Sequence, residues 1–173
     1  MQIENCDLYE VVIDALAAAC LEPQRLQLEI TETVLMHDSV RTQAILRKLN
    51  NLGVTVALDD FGTCFATLNY LRSFPFKKVK IDRSFVHDVS EHHDRLVIVR
   101  SIADLASELN IRSVAEGVET AAELTAVGSA GYDEAQGFYF SLPVPARALN
   151  RTLAQCAAKF GTHVSCNADK TAA

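Results

Sequence analysis

Five times along this chain, a short run of residues gives way to a polar exit and then to apolar residues at helical spacing. The runs cover 26–32, 54–58, 78–82, 111–115 and 132–136. The first is the clearest, with Leu26, Leu28 and Ile30 on one face and Gln27, Glu29 and Thr31 on the other. Helical spacing predicts helices over 7–20, 39–51, 65–72, 94–109, 120–127 and 146–160, with Asp7, Ser39 and Thr120 as N-caps and Pro23, Gly53 and Pro75 as stops. Strands that alternate with helices bury their faces as parallel β/α units joined by right-handed crossovers. Two architectures satisfy that constraint, an open doubly wound sheet and a closed barrel.

The strand ends separate the two. Each strand closes on a polar residue: Glu29, the pair Asp59-Asp60, Lys80, Glu116 and Gln136. A β/α barrel gathers all of its strand ends at one mouth. An open sheet gathers only those at a switch point, usually around a Gly-rich phosphate loop, and this sequence has no such loop. The barrel is therefore expected. Alternation turns Glu29, Asp59 and Lys80 inward and their apolar neighbours outward. Glu116 falls in phase with Arg112 and Val114, and its direction stays open.

Adjacent carboxylates raise each other's pKa unless a cation or hydrogen-bond donors separate them. Asp59 and Asp60 therefore read either as caps of the helix that follows or as ligands of a hard metal ion. Singly, Glu29 reads as a solvated strand end, Lys80 as a surface cation or an imine-forming lysine, and Gln136 as a structural hydrogen-bonder. Jointly, several carboxylates and one lysine at a shared mouth suit two divalent cations that polarise a phosphodiester and activate a water. The lysine would steady the developing negative charge.

Composition narrows the partners. Twenty-two acids against 16 bases leave a formal charge of −6, which disfavours polymeric nucleic acid and allows a small anion held through a metal. Five cysteines without C-x-x-C spacing (Cys6, Cys20, Cys64, Cys156 and Cys166) point to reduced thiols and a cytoplasmic protein. No apolar run reaches membrane-spanning length, and no basic-then-apolar signal peptide opens the chain. His87, His92 and His93, with Asp88, Glu91 and Asp94, read as a solvated loop tip. One domain over 1–160 is expected, followed by a small polar disordered tail over 161–173.

The segments Glu29-Ile30-Thr31-Glu32, Asp59-Asp60-Phe61-Gly62-Thr63, Lys80-Ile81-Asp82, Ala115-Glu116-Gly117-Val118-Glu119 and Gln136-Gly137-Phe138 resemble, in order, the motifs of the EAL domain family. The resemblance implies a TIM-like β/α barrel that hydrolyses cyclic di-GMP to linear pGpG with Mg²⁺ or Mn²⁺ in a two-metal site. It implies Glu29, Asp59, Asp60 and Glu116 as metal ligands, with Asp59 bridging. Lys80 would meet the attacking water or the phosphate, and Gln136 would orient a water. Glu32 resembles the glutamate that holds the loop after Asp60, which includes Thr63. Glu119 resembles a carboxylate behind the ligands or on the second metal. A homodimer contact is implied over 61–71, from Phe61 to Leu71.

The tripeptide that names the family is absent, as is the strand bearing a metal-ligating asparagine. By this resemblance the barrel is incomplete at its amino terminus, missing its first two strands, and the chain is truncated with little or no activity alone. Cys64, Phe65 and Leu142 stand where the family usually has Gly, Tyr and a basic residue. A non-catalytic EAL-like module that binds cyclic di-GMP or a protein partner is the alternative. A barrel lyase using Lys80 as an imine former is the third reading, and the surrounding carboxylates oppose it.

Overall fold

The computed structural model describes residues 8–36, 39–62, 71 and 73–161. In chain order the elements are α1 (Leu8–Ala19), a 3₁₀ turn (Pro23–Arg25), β1 (Gln27–Thr31), α2 (Glu32–Met36), α3 (Ser39–Leu52), β2 (Thr55–Phe61) and β3 (Lys78–Ile81). Then follow α4 (Arg83–Val86), α5 (His93–Glu108), β4 (Arg112–Ala115), α6 (Ala121–Ser129), β5 (Glu134–Ala135), a second 3₁₀ turn (Ala146–Ala148) and α7 (Leu149–Phe160). The expected cap at Asp7, the side chain of Ser39, the helix over 65–72 apart from Leu71, and the tail beyond Gly161 lie outside the described residues.

The strands form one parallel five-stranded sheet in the order β1-β2-β3-β4-β5, consistent with part of a TIM-like barrel. Among the described residues β1 and β5 each pair on one side only. Sequential order follows from right-handed crossovers, which lay each new strand beside the last. The outward face of the sheet is apolar. Ile30, Val56, Leu58 and Val79 are buried against Val12, Leu16, Leu46 and Leu49 of α1 and α3. Ile81 and Ala115 are buried with Val86, Val99 and Val127 of α4, α5 and α6. Each buried Val, Leu or Ile of this set, removed from water, contributes about 1.5–3 kcal/mol before chain entropy is set against it.

Several boundaries differ from the sequence expectation, β5 among them, which covers Glu134–Ala135 and not 132–136. β1 ends at Thr31 because Glu32 starts α2, where its buried carboxylate accepts the Gly62 N–H at 2.9 Å. β2 runs three residues past Leu58, through both aspartates. The loop after β3 contains α4, because the Asp82 side chain accepts the Ser84 N–H at 2.9 Å and caps a helical turn. The closing helix begins at Leu149, behind the 3₁₀ turn that follows Pro145.

Candidate metal centre

Register places one polar set on the inward face. Glu29 lies opposite Ala57, Thr31 opposite Asp59, and Ala57 opposite Lys78. Lys78 pairs with Arg112, Lys80 with Val114, and Val114 with Glu134. Paired residues share a face. The phase of Glu116 is thereby settled: two residues beyond Val114, it continues the face that carries Lys80.

Neighbouring residues on a regular strand point to opposite faces, so Asp59 and Asp60 need a local break to act together. β2 carries it. Its register against β3 shifts between Leu58 and Phe61, and Asp60 holds φ +54°. With this irregularity, oxygens of Asp59, Asp60 and Glu116 lie within 4.8 Å of one another. The Lys80 ammonium sits at 2.8 Å from Glu29 Oε2, 2.9 Å from Asp59 Oδ1 and 2.5 Å from Glu116 Oε1. Gln136 Nε2 donates to Glu116 Oε1 at 2.6 Å. Five strand ends thus meet at one rim.

The surroundings set the charge states. Burial pulls the Lys80 pKa down, but hydrogen bonds to Glu116, Glu29 and Asp59 outweigh it and hold the ammonium above the usual lysine range. A lysine so held is a poor imine-forming nucleophile, which opposes the lyase reading. Burial raises Glu116, with Lys80 opposing and Asp59 and Glu29 assisting. Burial and then Asp59 raise Asp60. Two carboxyls held above their ordinary range, beside further anions, form a donor set that a divalent cation would relieve. All its donors are hard oxygens, which suits a hard divalent cation.

The loops behind the rim are locked by close packing. A Cβ on Gly62 would come within 2.9 Å of the Phe85 ring, and one on Gly117 would collide with Arg83 Cβ. α4 therefore seats both exit loops. Glu123, 2% exposed, accepts N–H groups from Glu119, Thr120 and Asp88 at 2.8, 3.0 and 3.1 Å. Burial pushes its pKa up, but those backbone donors prevail and hold it below the ordinary value. Sequence reasoning missed this anchor, although Thr120 and Glu123 have the spacing of a capping box, and the box is formed. It also missed the Lys78–Glu134 pair at 2.7 Å, which ties β3 to the two-residue strand β5.

Glu119 is exposed and lines, with Asp60, Glu116, Gln136, Phe138 and Leu142, an open cleft of about 1150 Å³. Thr63 lies outside the described residues, as does most of the 61–71 segment. His87 and Asp88, expected at a solvated tip, reach back to Glu123, with His87 Nδ1 at 3.7 Å from Glu123 Oε1. No described helix is long and apolar enough to cross a membrane.

Comparison with known proteins agrees with this fold. The EAL domain family matches residues 1–143. The bifunctional diguanylate cyclase/cyclic di-GMP phosphodiesterase MucR of Pseudomonas aeruginosa is 38% identical over 154 residues, covering 89% of this chain and 22% of that protein. A solved structure of PaMucR phosphodiesterase with c-di-GMP superposes at a TM-score of 0.80 and 38% identity, over 85% of this chain and 60% of that one. A manganese and cy-diGMP complex of BlrP1 from Klebsiella pneumoniae does so at 0.77 and 34% identity, over 82% and 36%. The chain spans about a fifth of the length of the curated relatives it matches.

Proposed function

Since the chain belongs to the EAL domain family, we propose that its rim binds Mg²⁺ or Mn²⁺ and directs hydrolysis of cyclic di-GMP to linear pGpG. The observation that carries this is the convergence of Asp59, Asp60 and Glu116 within 4.8 Å, with Lys80 and Gln136 on the same rim. Glu29, Asp59, Asp60 and Glu116 would hold the ions, which when bound supply Lewis acidity and a nucleophile at neutral pH.

The chain's own groups do the rest. Lys80 brings a fixed positive charge to the place where a phosphodiester gains negative charge. Gln136 holds Glu116 through its amide and offers its carbonyl oxygen to a water. Glu32 fixes the turn after the aspartate pair through Gly62. Phe138 and Leu142, both exposed, give the cleft an apolar wall beside its anionic floor.

Turnover by these 173 residues alone is low in this reading, because β1 and β5 each lack a second neighbour among the described residues to brace the rim. The same open edges favour the second reading, a module that binds cyclic di-GMP without cleaving it. A homodimer through 61–71 and a cytoplasmic location complete the proposal. Calorimetry of the full chain with cyclic di-GMP, with and without Mn²⁺, and chromatography of the product test it together. Binding that needs Mn²⁺ and disappears in Asp59→Asn supports the site, and pGpG formation supports the enzyme. Tight binding without metal that is indifferent to Asp59→Asn would overturn both. Sedimentation velocity reports the dimer.

A further inference from the structure

The Lys80 ammonium has three N–H donors and no acceptor. Its three carboxylate partners come from three different strand ends: Glu29 of β1, Asp59 of β2, and Glu116 just past β4. The ammonium donates hydrogen bonds to Glu29 at 2.8 Å and Asp59 at 2.9 Å and forms an ion pair with Glu116 at 2.5 Å. Its side chain is 6% exposed, so water has little access to it. In this arrangement three carboxylates, and not a phosphate oxygen or an attacking water, hold the ammonium. The carboxylates in turn would repel one another without it, since no other cationic side chain among the described residues pairs with Glu29, Asp59 or Glu116.

We propose that Lys80 is the rim's built-in counter-ion, closing the carboxylate ring while no divalent cation is bound and competing with such a cation for the same oxygens. The proposal rests on the reading of the rim as a divalent-cation site. An entering ion takes over the carboxylates, and the released ammonium then has donors to offer an anionic substrate. Metal loading and the arming of Lys80 are one event. The lysine that aids the bound substrate thus weakens the empty site's grip on its metal.

The test uses the full chain, stripped with EDTA, as wild type and Lys80→Met. Melting temperature is followed metal-free and at saturating Mn²⁺, and Mn²⁺ affinity is measured by calorimetry. Lys80→Met should melt on the order of 5–10 °C lower when metal-free, because three anions lose their shared cation. Saturating Mn²⁺ should close most of that gap, and Mn²⁺ should bind the variant about tenfold tighter or more. Measurable wild-type binding with equal or weaker binding by the variant overturns the counter-ion role alone. Failure of both proteins to bind Mn²⁺ overturns the cation-site reading and the proposal with it. Should Lys80→Met not fold, ¹⁵N spectra of the lysine side chains of the wild type decide. A protected Lys80 ammonium signal in the metal-free chain that shifts or exchanges faster on saturation with Mg²⁺ supports displacement, and an unchanged signal overturns it.

Discussion

Replacing Glu123 by alanine isolates what the buried carboxylate behind the rim does. Three backbone N–H groups end on it, from Glu119, Thr120 and Asp88, and the residue is 2% exposed. A hydrogen bond to a charged acceptor is worth about 1.5 kcal/mol net at the low end of its range. Glu119 and Thr120 are themselves exposed, so water can recover part of their two bonds. The Asp88 bond joins α6 to a loop 35 residues away in sequence and is not replaced locally. The expected loss is about 3 kcal/mol, or a fall in Tm of about 6–12 °C for a chain of this size. Urea unfolding followed by circular dichroism measures it. Native-state hydrogen exchange should show faster exchange at Asp88, Glu119 and Thr120 in particular. The pH dependence has a definite sign. Glu123 is held below its ordinary pKa, so its contribution is full above about pH 4.3, the unfolded value. It is lost as pH falls through the lower folded value. The gap between wild type and Glu123→Gln should therefore shrink only on the acid side. A loss under 1 kcal/mol in Glu123→Ala, or a gap that grows in acid, would refute this account.

Gly117→Ala should cost about 2–3 kcal/mol, because φ is +70° and the new methyl meets Arg83 Cβ; thermal unfolding checks it. Asp59→Asn should reduce Mn²⁺ affinity by about a hundredfold or more, read by calorimetry, since it removes one charge from a shared cluster. Lys78→Met should destabilise by about 1 kcal/mol by leaving Glu134, a third exposed, with only its 3.7 Å pair to Arg112 among the described residues. The double variant Lys78→Met/Glu134→Gln should recover part of that loss in a denaturant cycle. In the metal-free chain, Glu116 and Asp60 have raised pKa values, so their contribution to stability is full below the unfolded value and falls as pH rises through the folded one. Added Mn²⁺ should therefore stabilise the chain more at pH 7 than at pH 4, as seen by differential scanning fluorimetry.

Much of the site was legible in the chain because a strand's side-chain period is two. Glu29, Asp59 and Lys80 were placed inward by alternation alone, and register confirms that they share a face. Helix positions were legible for the same kind of reason, and Thr120 caps α6 as its spacing implies. What stayed hidden depended on contacts between segments far apart. Lys78 and Glu134 are 56 residues apart, and nothing local in either run says that they touch. α4 was read as loop because four residues carry too little periodicity to be seen.

The order of residues along the chain, through its alternation and its helical repeats, determined that five strand ends would carry acids, a lysine and an amide to one side of a parallel sheet. Those are periodic properties of single segments, and each segment holds them without its neighbours. Whether Asp60 could join Asp59, which way Glu116 faces, and what Lys80's three protons would meet were decided only by the folded arrangement. Those answers depend on one irregularity in β2 and on the register of strands across the sheet, and register exists only between strands.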